Sequence, residues 1–278
     1  SDIDRRVLRF IPTHSGKTYH ETAEGDFWRL SVFIPRTQSF AQVTPKNAYD
    51  AGLAFGNFES MLTDVDETLG ETIPDFHNME LRIRQLREAV LADVAGRLTE
   101  VRPLVDLLES HAEAMCRAEV LYREGRLPKR ICHCDTKVNN MLFDEAGGVL
   151  CVIDLDTVMP SFIFSDYGDF LRTAANATRE DDPDIDHVSL RWDVVESFTK
   201  GYIEGTHHFL LPIERELLPF AMQLFPYMQC VRFLTDYING DTYYKTTYPA
   251  HNLDRARNQY RLFELTLAGQ DRLQHFID

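Results

Sequence analysis

Residues 131–160 constrain the fold of this chain more than any other part of its sequence. They read ICHCDTKVNNMLFDEAGGVLCVIDLDTVMP, which is an apolar start, a polar loop and two apolar runs separated by EAGG. Turn residues between two apolar runs predict an antiparallel β-hairpin. Because a hairpin returns the chain to its starting edge, the polar residues before it and the acidic residues after it are expected to face one cleft.

The polar residues of this segment are of the types that phosphoryl transfer needs. His133, Asp135 and Asn140 fit the pattern H-x-D-x-x-x-x-N, and Asp154 follows the hairpin. Phosphoryl transfer requires a carboxylate that accepts a hydroxyl proton and oxygen ligands for magnesium. The spacing predicts Asp135 as the base, Asn140 and Asp154 as Mg²⁺ ligands, and Lys137 as a contact of the γ-phosphate. The alternative, that these residues only hydrogen-bond the loop, stays open.

Other patterns that carry chemistry are incomplete. Lys17 lies in SGKT, but Ile11 stands where a phosphate-binding P-loop needs glycine, and neither G-x-G-x-x-G nor G-x-S-x-G occurs. Cys132 and Cys134 flank His133, but a structural zinc site needs a second ligand pair, which the sequence lacks. The sequence therefore favours neither a dinucleotide site, nor a serine hydrolase, nor a zinc protein.

Composition disfavours several further classes of protein. The formal net charge of −15 argues against binding to nucleic acid or to acidic membranes. No apolar stretch reaches the roughly 20 residues of a membrane span, and the start SDIDRRVLRF lacks the apolar core of a signal peptide. The five cysteines have no repeating spacing and are expected to be reduced. These features predict a cytoplasmic protein.

Helical spacing dominates after the first 44 residues. Thr44 followed by Pro45 predicts a helix start, and Gly52 and Gly56 are expected to allow close helix packing. Pro103 is expected in the first turn of its helix. The predicted helices cover residues 45–62, 79–98, 101–124, 166–178, 190–203, 213–238 and 253–276.

Several segments of the chain resemble one known family. The resemblance is to the aminoglycoside phosphotransferase and choline kinase superfamily, and most closely to N-acetylhexosamine 1-kinases. It implies an α+β, protein-kinase-like fold, and a kinase that uses ATP and Mg²⁺ to phosphorylate the anomeric hydroxyl of an N-acetylhexosamine. The segments that carry it are AYDAGLAFGNFESML, ETIPDFHN, HCDTKVNNMLFD, VLCVIDLDTVMP, SDYGDFLR and INGDTYYKTTYPAHNLDRARNQY.

The resemblance also implies a division of the chain. Residues 1–34 correspond to the last strands of a small β lobe up to the hinge, and residues 35–278 to a mostly helical large lobe. The runs VLRFIPT and FWRLSVFIP are predicted as these strands, and Phe33 and Ile34, with Lys137, as the contacts of ATP. In such kinases a nucleotide-covering loop and a lysine come earlier, so this chain alone is expected to bind ATP weakly.

For the acceptor, the resemblance points to Thr157, Arg232 and Tyr243 together with Asp135. Arg232 lies in the largely apolar run MQCVRFLTDY, so an inward side chain would need a carboxylate or sugar oxygens as partners. Alternatively it reaches solvent or pairs with Asp236. Tyr244 is an alternative to Tyr243.

Three other functions remain open at this point. Choline or an aminoglycoside would suit the same reaction, since net charge says nothing about the charge of the cleft. A kinase fold that only binds its ligand is a second alternative, and a metal-dependent hydrolase is a third. The expected partner is a small molecule, with an amino sugar favoured, and the sequence leaves the oligomeric state undetermined.

Overall fold

The computed structural model describes residues 2–40, 43–65 and 68–278, and α-helices make up most of this part of the chain. None of these helices combines the length and the apolar character that a membrane span requires. The helices are α1 (Pro45–Met61), α2 (Met79–Ala92), α3 (Leu98–Met115), α4 (Arg117–Arg123), α5 (Phe164–Ala174), α6 (Trp192–Thr206), α7 (Pro212–Glu216), α8 (Leu218–Ile238), α9 (His251–Ala268) and α10 (Gln270–Ile277).

Short strands form antiparallel pairs on one side of the helices. The hairpin predicted within residues 131–160 is confirmed, because Met141 pairs with Val152 and Leu142 with Cys151. The pairs are β1 (His20–Glu21) with β2 (Phe27–Trp28), β3 (Arg130–Cys132) with β6 (Met159–Ser161), and β4 (Met141–Phe143) with β5 (Val149–Val152).

The two strands predicted in the first 35 residues are much shorter than expected. The two runs meet at a bridge between Phe10 and Ser31, and the run 27–35 also contains the two residues of β2. Phe27, Trp28 and Leu30 are each more than 60% exposed. A strand gains stability by packing one face against a core, and these side chains have no core to cover. The division at residue 34 stays a prediction.

The predicted helices are present, but three of them are broken in two. The breaks lie at Cys116, between α3 and α4, at Leu217, between α7 and α8, and at Gly269, between α9 and α10. At Gly269 a Cβ would lie 2.2 Å from the Trp192 ring, so the break coincides with a close contact with α6 that leaves no room for a side chain. Pro103 lies inside α3, beyond its first turn, contrary to the expectation.

Helix α1 begins as predicted and packs closely against α6. The Thr44 hydroxyl accepts a hydrogen bond from the Asn47 amide (3.2 Å) and caps α1. A Cβ at Gly52 would lie 2.3 Å from the Phe198 carbonyl oxygen, and a Cβ at Gly56 would lie 2.9 Å from that of Tyr202. The prediction that these two glycines allow close packing is therefore confirmed.

We expect Gly201→Ala to destabilise the protein, because its Cβ would lie 2.1 Å from the Tyr49 carbonyl oxygen of α1. Overpacking of this kind costs roughly 1–3 kcal/mol of unfolding free energy, more than the helix propensity gained from alanine. Urea unfolding followed by circular dichroism measures the change. Gly70→Ala is the matched control, because a Cβ there meets nothing within 4 Å. Equal unfolding free energies for the two variants would contradict the close α1–α6 contact.

Candidate active site

A buried carboxylate holds the loop that follows β3. Asp166, in the first turn of α5, accepts hydrogen bonds from the backbone amides of His133 (2.8 Å) and Cys134 (2.7 Å). Thr136 donates its hydroxyl proton to the Asp166 carbonyl oxygen (2.7 Å). Cys134 has a φ of 64°, a left-handed conformation that a residue with a side chain adopts rarely. These bonds keep the loop in a sharp turn against the helical core.

Glu59 of α1 lies beside Asp166 in the same buried site. One carboxylate oxygen of Glu59 accepts a hydrogen bond from the Tyr202 hydroxyl (2.7 Å), and the Glu59 and Asp166 carboxylates approach within 4.8 Å. Burial and the charge of Asp166 raise the pKa of Glu59 well above its ordinary value. This shift favours the neutral form of Glu59 over two adjacent buried negative charges.

His133 links this loop to the chain after the hairpin. Its Nε2 donates to the Ile153 carbonyl oxygen (2.9 Å), and its own carbonyl oxygen accepts from the Thr157 hydroxyl (2.7 Å). The Ile153 amide in turn donates to the Asn140 carbonyl oxygen (2.9 Å). Asp154, the next residue, is exposed and has a φ of 59°. The hairpin thus brings the backbone before Asp154 into contact with that of Asn140.

Three of the predicted residues interact directly. Asp135 is half-buried, and Lys137 Nζ lies 2.8 Å from one of its carboxylate oxygens. Asn140 Nδ2 donates both to the Asp135 carbonyl oxygen (2.7 Å) and to the other carboxylate oxygen (2.9 Å). This fixes the Asp135 rotamer and leaves Asn140 Oδ1 without a hydrogen-bond partner among the described residues.

Asp135 lies on the wall of a cavity of about 210 Å³. Lys137, Arg232 and Tyr243 line the same cavity, and so does Tyr244. Residues far apart in the sequence therefore meet around the carboxylate. Thr157 does not line this cavity, so its contact with the acceptor stays a prediction.

Arg232 does not pair with Asp236, the partner that the sequence offered. The Asp236 carboxylate accepts from the backbone amides of Thr242, Tyr243 and Tyr244 at 2.8–3.0 Å. Arg232 instead donates to Gln229 Oε1 (3.0 Å), and its guanidinium lies 5.3 Å from the Phe76 ring and 5.7 Å from that of Tyr244. It is half-buried, with no carboxylate partner among the described residues.

The sequence did not single out several charged and titratable residues of this site. His77, Asp169 and Arg172 line the cavity beside Asp135. Asp169 and Arg172 form a buried ion pair (3.1 Å), and Arg172 also contacts Glu180, which lies in the acidic loop after α5. Burial and Arg232 lower the pKa of His77 well below its ordinary value, which keeps this histidine neutral at pH 7. A signal was present, since SDYGDFLR places charges in an otherwise apolar helix.

Phe33 and Ile34, the predicted nucleotide contacts, have different surroundings. Phe33 is 83% exposed, whereas Ile34 is buried and packs against Leu150 and Cys151 of the hairpin. The Gln38 amide donates to the Phe143 carbonyl oxygen (2.9 Å), so residues 34–38 run along the hairpin that ends at Asp154. Their role in nucleotide binding stays a prediction.

Comparison with known proteins identifies the family and the fold. The family model described as the phosphotransferase enzyme family (APH) matches residues 6–202, more than half of the chain. An aminoglycoside phosphotransferase from Alicyclobacillus acidocaldarius has a similar structure, with a TM-score of 0.65 and 15% identity over 98% of this chain and 78% of that chain. An ethanolamine kinase from Plasmodium vivax gives a TM-score of 0.47, with 12% identity over 88% of this chain and 67% of that chain.

The α+β, protein-kinase-like fold predicted from the sequence is confirmed by this structural similarity and by the mostly helical architecture. The prediction of an enzyme is confirmed as well. The chain belongs to the phosphotransferase enzyme family and is a phosphotransferase that acts on small-molecule alcohol acceptors.

Proposed function

We propose that this protein transfers the γ-phosphoryl group of ATP to the anomeric hydroxyl of an N-acetylhexosamine. The observation that carries the proposal is the cavity that Asp135, Lys137, Arg232 and Tyr243 share. A volume of about 210 Å³ suits a small acceptor, since drug-sized ligands occupy pockets of roughly 300–1,000 Å³. The sequence resemblance to N-acetylhexosamine 1-kinases supports this choice of acceptor.

Asp135 has the position and the partners of a general base. Its carboxylate accepts the proton of the acceptor hydroxyl as the new O–P bond forms. Asn140 holds one carboxylate oxygen, and Lys137 Nζ lies close to both, at 2.8 and 3.0 Å. Lys137 is exposed, so it is free to turn toward the transferred phosphoryl group and offset its charge.

The two predicted metal ligands suit Mg²⁺ chemically. Asn140 Oδ1 and the Asp154 carboxylate are oxygen donors with no ion pair or hydrogen bond to another described residue. Hard cations such as Mg²⁺ select oxygen donors of this kind. Mg²⁺ held there would neutralise charge on the phosphates of the nucleotide.

The charges around the cavity favour a neutral sugar over a cationic acceptor. Three cations and two carboxylates line it, namely Lys137, Arg172, Arg232, Asp135 and Asp169. Lys137 pairs with Asp135, and Arg172 with Asp169 and Glu180. The lining cation without a carboxylate partner among the described residues is therefore Arg232, which disfavours a positively charged acceptor such as choline or an aminoglycoside. Arg232 instead offers donors to sugar oxygens, and Tyr243, which is 70% exposed, offers a ring face.

An assay of ATP consumption tests the proposed acceptor. The protein should turn over ATP with N-acetylglucosamine or N-acetylgalactosamine, and not with choline or an aminoglycoside. Turnover with choline or an aminoglycoside, but with neither amino sugar, would overturn the proposal.

We expect Asp135→Asn to lower kcat by roughly 100-fold to 10,000-fold, because it removes the base from an otherwise unchanged loop. The kinase assay measures the rate, and circular dichroism verifies the fold. Asp186→Asn removes a charge from an exposed residue that does not line the cavity, and serves as the control. Near-normal turnover of the Asp135 variant would exclude it as the base.

We expect Asp154→Ala to weaken the binding of nucleotide in the presence of Mg²⁺, because the cation loses a charged oxygen ligand. Calorimetry with ADP, with and without Mg²⁺, measures the effect. The affinity without Mg²⁺ should change little. If Mg²⁺ strengthens binding equally in both proteins, Asp154 is not a ligand.

We expect Arg232→Ala to raise the KM for N-acetylhexosamine much more than the KM for ATP. Loss of a charged hydrogen-bond donor to the acceptor costs about 1.5–3 kcal/mol, which is roughly 10-fold to 100-fold in KM. Steady-state kinetics with each substrate varied in turn separate the two constants. An equal rise in both would reject Arg232 as an acceptor residue and reopen choline and aminoglycosides.

A further inference from the structure

A second, larger cavity adjoins the acceptor cavity. It measures about 600 Å³ and lies among α2, α8 and the turn that follows α8. Arg232, Tyr243, Tyr244, Ile73 and Phe76 line both cavities. A molecule whose reacting hydroxyl lies at Asp135 therefore has space to extend past Arg232, on the side away from the base.

Arg82 of α2 brings a second cation to this space. Its guanidinium donates to the carbonyl oxygens of Phe76 (2.6 Å) and Asp75 (3.3 Å), and to Gln85 Oε1 (3.0 Å). These acceptors are neutral, and within the described residues neither Arg82 nor Arg232 makes an ion pair. Burial, and then the charge of Arg232, lower the pKa of Arg82. Both guanidinium groups thus lie beside Phe76, and the Asp75 carboxylate offsets part of the Arg82 charge without forming an ion pair with it.

The acidic residues of the larger cavity do not balance this charge. The Asp236 carboxylate accepts hydrogen bonds from the backbone amides of residues 242–244 and from the side-chain amide of Asn252 (2.8 Å). Glu88 is exposed and lies six residues beyond Arg82 on α2, about 9 Å along the helix axis. The end of the cavity that adjoins the acceptor is therefore positive.

We propose that this space is a subsite for an anionic group carried by the acceptor sugar. The group is a sulfate, a phosphate or a carboxylate, attached on the side of the sugar away from the anomeric hydroxyl. This inference rests on the proposed function and deepens it. An anion between Arg82 and Arg232 receives charge-assisted hydrogen bonds from two guanidinium groups and relieves their mutual repulsion.

Calorimetry without ATP tests the subsite directly. The probes are N-acetylglucosamine, its 6-sulfate, its 6-phosphate and the corresponding 6-carboxylate, N-acetylglucosaminuronic acid. At least one anionic sugar should bind about 10-fold more tightly than N-acetylglucosamine at low salt, and the tightest identifies the anion. The preference should shrink at about 1 M salt, where the Debye length is about 3 Å.

Variants of α2 separate the charge from the fold. Arg82→Gln should reduce the preference to less than about 2-fold, and Arg82→Lys, which keeps the charge, should retain part of it. Arg84→Gln removes the same charge from an exposed position of α2 that lines neither cavity, and should keep the full preference. If Arg82→Gln unfolds, Thr235→Glu places a carboxylate on the cavity wall and should abolish the preference.

The outcomes distinguish the subsite from the proposed function. Equal affinities for all four sugars, or a preference that neither Arg82→Gln nor Thr235→Glu reduces, would overturn the subsite even if N-acetylglucosamine is phosphorylated. A charge preference that depends on Arg82 supports the subsite even if no sugar is phosphorylated, a result that would contradict the proposed reaction. Failure of all four sugars to bind would overturn both.

Discussion

The site depends first on the buried Asp166 carboxylate. It accepts hydrogen bonds from the backbone amides of His133 and Cys134, which hold the loop that carries Asp135 in a sharp turn. Burying a carboxylate is costly, and two amide donors offset part of that cost. The raised pKa of Glu59 beside it favours the neutral form of that carboxyl over a second buried charge. Loss of this anchor would release the base and, through His133, the turn that contains Asp154.

A second buried carboxylate holds the opposite wall in a comparable way. Asp236, near the end of α8, accepts hydrogen bonds from three consecutive backbone amides in the turn after that helix. Because Asp236 lies one helical turn after Arg232 on α8, this holds Tyr243 and Tyr244, in the turn that follows the helix, near Arg232. The base and the acceptor wall are therefore each held through backbone amides, which are less mobile than side chains. Such support keeps a small cavity in shape without a ligand.

The net charge of the chain differs in sign from the excess charge among the residues that line the acceptor cavity. The chain carries a net charge of −15, yet cations outnumber carboxylates around the acceptor cavity. The carboxylates that line the two cavities are largely paired or hydrogen-bonded. Asp169 pairs with Arg172, and Asp236 accepts hydrogen bonds from the backbone amides of residues 242–244. Arg82 and Arg232 are not compensated in this way. Local pairing, and not the total, determines what charge a ligand meets.

The sequence by itself determined the parts of this protein that depend on short stretches of chain. Turn residues at 145–148 predict the hairpin, and Thr44 with Pro45 predicts the start of α1, because both are set by neighbouring residues. The loop between His133 and Asn140 is predictable for the same reason. The chemistry of the base could therefore be inferred from spacing alone.

Only the tertiary structure decided what depends on contacts between distant segments. It shortened the strands predicted in the first 35 residues, which lack a core to cover, and it ended α9 where Gly269 meets Trp192. It also brought Arg232 to the same cavity as Asp135, about a hundred residues away in the sequence. Asp236, which the sequence offered as a partner of Arg232, instead accepts hydrogen bonds from backbone amides. Helical periodicity shows which faces are apolar but not which partner each face meets, so such convergence follows from packing alone.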